Sequence, residues 1–109
     1  MEATKKKTAK KTAAKPYVIV RGYKAGVHCG KLTRITNKWI YLDGARRIWH
    51  WEGAASLSEI AVYGCSKPSE CKICAPVSIR IKNNDEISEI IRCTAEGEAF
   101  LRGVHVWRA

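Results

Sequence analysis

Apolar and polar positions alternate along this chain in short, well-punctuated runs. Tyr17-Val18-Ile19-Val20-Arg21 is a β-branched run stopped by Gly22 and is predicted to be a strand. Val27 to Ile35 predicts a second strand, in which Gly30 marks a bulge or a close backbone approach. Thr36-Asn37-Lys38 reads as a turn, Trp39 to Leu42 as the returning strand and Asp43-Gly44 as a further turn. In Ala45 to Trp51 the alternation puts Arg47, Trp49 and Trp51 on one face and Arg46, Ile48 and His50 on the other.

Helical spacing follows. Ser56-Leu57-Ser58-Glu59 fits a capping box, in which the Ser56 hydroxyl and the Glu59 carboxylate satisfy each other's backbone N–H groups. Leu57, Ile60 and Ala61 form the apolar stripe, and Gly64 stands where a helix ends. Cys65 to Pro76 is expected to be a loop. Strands are predicted over Val77 to Lys82 and Glu86 to Cys93, with a turn between them. Thr94 is expected to cap a last helix, Ala95 to Arg102, and Val104 to Trp107 reads as a final strand. The fold class expected is therefore α+β: a small curled antiparallel sheet or partial barrel with one or two short helices.

Charge divides the chain into two parts. Residues 1–16 contain six lysines, Lys5, Lys6, Lys7, Lys10, Lys11 and Lys15, against Glu2 and no large apolar side chain except Met1. Half of the formal net charge of +10 lies on this arm. Such a segment cannot bury enough surface to offset its ordering entropy, so it is expected to be disordered in isolation. Residues 17–109, with four tryptophans, form the single folded domain. No run approaches the roughly 18 apolar residues of a membrane span, and no apolar h-region follows the cationic start. Membrane partners are not expected, and the five cysteines are expected to be reduced thiols in a cytosol.

The arm points to a polyanion, above all nucleic acid, held through phosphates without reading sequence. Arg46, Arg47, Trp49 and Trp51 are the candidates for a more specific surface, since guanidinium and indole planes stack on bases. Tyr17, Tyr23 and Tyr41 extend that set. The competing reading is that the tryptophans fill the core while the arginines reach outward. Cys71 and Cys74 have C-x-x-C spacing and Cys65 lies near, so zinc is the one metal the sequence suggests; without a second C-x-x-C the pattern is incomplete, and buried thiols are the rival account. No glycine-rich phosphate loop, no H-E-x-x-H and no paired carboxylates occur, so no catalytic residue and no cofactor are assigned.

The runs Tyr17–Arg21, Ala25–His28 with Gly30, Ala45–Trp49 with Trp51, Gly53–Glu59, Ser66–Pro68 and Cys71-Lys72 resemble a family of small uncharacterised proteins of tailed bacteriophages and prophages. The resemblance covers nearly the whole domain and is strongest from Ala45 to Lys72; the arm lies outside it. It implies a phage source, action in the host cytoplasm or in the virion, and no catalytic residues to carry over. The function expected is non-enzymatic binding, with the arm on nucleic acid or another polyanion. Two alternatives come with it. One is a virion protein, capsid-associated or decorating, whose arm extends over its neighbours. The other is an anti-defence protein that sequesters a small anionic nucleotide.

Overall fold

The computed structural model describes residues 15–84 and 86–109. Among these residues six strands and two helices follow in the order β1 (Tyr17–Gly22), β2 (Gly26–Ile35), β3 (Trp39–His50), α1 (Leu57–Tyr63), β4 (Lys72–Ile73), β5 (Val77–Lys82), β6 (Ile87–Arg92) and α2 (Ala95–Gly103), with a 3₁₀ turn at Pro68–Glu70. All pairings are antiparallel, along the path β4-β3-β2-β1-β6. β5 lies on the same edge of β3 as β4: it takes positions Trp39 to Ala45, and β4 takes Ile48 to His50. The fold is α+β, an open antiparallel sheet with two helices.

β1 has apolar residues at four successive positions because it is buried on both faces. Tyr17 and Ile19 join Cys29, Ile48, Ile73, Leu57, Ile60 and Leu101 beneath the helices. Val18 and Val20 point the other way, into a second cluster with Ile40, Leu42, Ala45 and Ile81. Every residue of that second cluster lies on a strand, and Val20, Ile40 and Ala45 are wholly buried. Among the described residues no helix contributes to it, so the sheet itself curls round this face.

Three boundaries depart from expectation. Asp43-Gly44 is not a turn: β3 runs through it, and Gly44, at φ 59°, forms a bulge where the ladder to β5 steps from Leu42 to Ala45. The expected loop from Cys65 to Pro76 contains the short strand β4. Val104 to Trp107 joins no ladder, although Trp107 donates its backbone N–H to Ile73 O at 2.9 Å. The hairpin turn before β3 is held by Thr36 Oγ1, which accepts from the N–H groups of Lys38 and Trp39. Among the described residues no helix is long and apolar enough to cross a membrane.

Candidate nucleic-acid interface

The pleat of β3 separates the residues singled out between Arg46 and Trp51. Arg46 and Ile48 point towards the helices, and Arg47 and Trp49 point away. Arg46 is only 3% exposed. Its Nε donates to Cys74 O (2.7 Å), Nη1 to Leu101 O (2.7 Å) and Val104 O (2.9 Å), and Nη2 to Ile73 O (3.1 Å) and His105 O (3.0 Å). A guanidinium carries five N–H groups, and all five are used on backbone carbonyls. The expected surface role is thus corrected: Arg46 is an internal tie that gathers β4, the end of α2 and the C-terminal segment. Trp51 is corrected too. The ladder shifts register between Ile48 and His50, β3 stops, and Trp51 packs on the helix-side core with Nε1 donating to Ala54 O.

Arg47 is exposed and donates from Nη1 to Ala25 O at 2.7 Å. It faces His28 across the ladder. His28 is 4% exposed, and its Nδ1 has no hydrogen-bond partner. Burial, assisted by the Arg47 charge, lowers its pKa to about 4. Trp49 is 64% exposed and stacks on Trp107, with ring centroids 6.4 Å apart and planes inclined by 3°. Lys72 Nζ lies 5.6 Å from the Trp107 centroid. Of the tyrosines, Tyr17 is buried and donates to Cys29 Sγ, Tyr23 is exposed at the β1–β2 turn, and Tyr41 lies on a different surface.

That surface is the outer side of β2, β3 and β5, beyond the edge of the helices. Arg34 faces Tyr41 on one ladder, Tyr41 faces Arg80 on the next, and Trp39 faces Lys82. The Arg34 guanidinium lies 5.2 Å from the Tyr41 centroid, and that of Arg80 lies 4.2 Å from the Trp39 centroid. Arg34, Arg80 and Lys82 are exposed, while the two rings are half-buried and belong to neither core cluster. Asp43 closes the far end, accepting from Ser78 Oγ. The five residues are scattered through the chain, and only the ladder registers assemble them. Polar parity in Ser78-Ile79-Arg80-Ile81-Lys82 was the available signal.

The arm enters beside this surface. Pro16 O accepts from Leu32 N–H at 2.8 Å, and Lys15 Nζ donates to Thr33 O at 3.1 Å. Lys5, Lys6, Lys7, Lys10 and Lys11 lie outside the described residues.

The thiols serve as apolar fillers. Cys29, Cys65 and Cys71 are buried in the helix-side core, and burial pushes Cys65 up to about 12, reinforced by Cys71 beside it. Cys93 is likewise held near 12 by burial and by Cys29. Half-buried Cys74 acts through its backbone, its N–H on Arg47 O and its carbonyl under Arg46 Nε. Among the described residues no group of three or more His, Cys, Asp or Glu is placed to hold a metal ion, so Cys65, Cys71 and Cys74 do not converge on one. A cavity of about 120 Å³ lies among Tyr17, Asp43, Gly44, Arg46, Pro76 and Arg102. It is small beside the roughly 300–1,000 Å³ of small-molecule sites, and Arg46 has no free N–H to offer it.

Residues 15–101 match a family described as a domain of unknown function, DUF6948. The chain belongs to that family. The match takes in the whole sheet, and α2 as far as Leu101, and it begins at Lys15, where the arm meets β2. No curated protein and no solved structure matches the chain.

Proposed function

We propose that this protein binds nucleic acid without catalysing a reaction, the lysine arm making sequence-independent phosphate contacts. The observation that carries the reading is where the arm is fastened. Lys15 and Pro16 are bonded to β2 at Thr33 and Leu32, beside Arg34, and Arg80 and Lys82 continue the same surface across β3 on β5. Cations of arm and sheet therefore adjoin, so one polyanion can meet both. The resemblance to tailed-phage and prophage proteins supports a viral source, with nucleic acid met in the host cytoplasm or in the particle.

The test substitutes Gln for Lys5, Lys6, Lys7, Lys10 and Lys11 in the full-length chain and follows duplex DNA affinity against salt. Each phosphate neutralised contributes about −0.9 to the log–log slope, so the slope is expected to flatten by up to about 4.5. A slope unchanged by the five substitutions would refute the arm's role.

A further inference from the structure

Resting on the nucleic-acid reading above, we infer that the outer face of β2, β3 and β5 is a stacking platform for an unpaired nucleic-acid strand. Trp39 and Tyr41 are alternate residues of β3, so their rings project on the same side from Cα positions about 6.8 Å apart at the usual strand rise. That interval is about twice the 3.4 Å rise of bases in a duplex strand. Paired, stacked bases cover one another's faces and cannot meet both rings. A drawn-out single strand can place successive bases on them.

The cations are set for the same ligand. Arg34 and Arg80 lie against the two rings, presenting planar guanidinium groups that stack on bases and grip phosphates. Lys82 sits directly across the ladder from Trp39, where a point charge meets a backbone phosphate. The helix-side core does not extend under this face: that cluster draws on β1, β4, Cys29 of β2 and Ile48 of β3, and on nothing in the Trp39–Leu42 half of β3. A purely structural role would leave the rings as clamps on the β2–β3 and β3–β5 pairings, and binding would not notice their loss.

The experiment is fluorescence anisotropy of the full-length chain with a labelled oligothymidylate of about a dozen nucleotides and a duplex of equal length. It is run in roughly 0.2 M salt, where phosphate-only contacts are weakened. The single strand is expected to bind more tightly than the duplex. Joint Trp39→Leu and Tyr41→Leu should weaken the single strand by about tenfold or more and leave both its salt slope and duplex affinity unchanged, whereas Tyr41→Phe keeps the parent's affinity. Joint Arg80→Gln and Lys82→Gln change exposed side chains only, and should weaken the single strand while flattening its slope by about 1. Parent-like oligothymidylate binding by the Arg80/Lys82 variant, or by a folded Leu variant, overturns the platform, as does an equal loss for duplex and single strand. Binding lost only when the arm lysines are replaced overturns the platform alone. No binding of either probe by the parent removes the nucleic-acid reading as well.

Discussion

Arg46 and Arg47 are neighbours with opposite fates, and one peptide unit of pleat separates them. Arg46 spends its five donors inside the protein, while Arg47 keeps most of its guanidinium in water. Lysine cannot imitate Arg46, because an ammonium has three donors and no planar fork. Arg46→Lys is expected to destabilise the fold by about 3 kcal/mol, through buried carbonyls left without a donor, and a urea titration reads the loss. His28 is the second residue whose setting decides its behaviour. With a pKa of about 4 in the folded state, against about 6.5 when unfolded, it binds its proton more readily in the unfolded chain. Stability is therefore full above pH 6.5 and falls as pH drops towards 4, by up to about 3 kcal/mol. His28→Gln should flatten the urea midpoint across that window. A midpoint that declines equally in both proteins would place the titration elsewhere. Glu86 adds a dependence of the same sign as pH falls through the ordinary carboxylate range, since the backbone N–H groups of Ala25 and Lys24 hold its carboxyl below that range.

At the level of elements, local signals were most legible where a side chain bonds its own turn. Ser56 Oγ accepts from Glu59 N–H as the capping pattern predicts, with the refinement that Glu59 Oε1 reaches Ala55 N–H instead of that of Ser56. Thr94 caps α2 through Gly97 N–H, and α2 runs over Ala95–Gly103. Asp43-Gly44 misled because the same dipeptide serves a hairpin turn or a bulge, and the choice rests with β5, a strand more than thirty residues away. Gly97 shows what an isolated glycine inside a helix can mean. The start of α2 lies against the end of α1, with Thr94 N–H and Oγ1 both donating to Ala61 O. A Cβ on Gly97 would stand 1.9 Å from that same oxygen. Helix propensity alone favours alanine here by about 1 kcal/mol. Packing should reverse the sign: Gly97→Ala is expected to cost about 2–4 kcal/mol by urea unfolding, because the obstacle is backbone. Neutral or improved stability would mean that the helices pack more loosely.

For the whole molecule, the class of fold was readable because short β-branched runs with tight turns alternate with two capped helical stretches, the order of an α+β domain. The partition into a helix-covered half and a curled, strand-only half was not readable, since it depends on which residues β3 meets along its two edges. The same pairings explain why the Arg46–Trp51 segment was legible in the sequence while Arg34, Trp39, Arg80 and Lys82, which join Tyr41 on the outer face, were not. The first is contiguous in sequence; the second exists only in the sheet. The Trp49–Trp107 pair is also a product of folding, joining β3 to the third residue from the chain's end. Two parallel indoles this close couple their electronic transitions, so the molecule carries its own chromophore pair. A circular-dichroism couplet that is lost in Trp107→Leu is the expected sign that the C-terminal segment is seated, without any label being added.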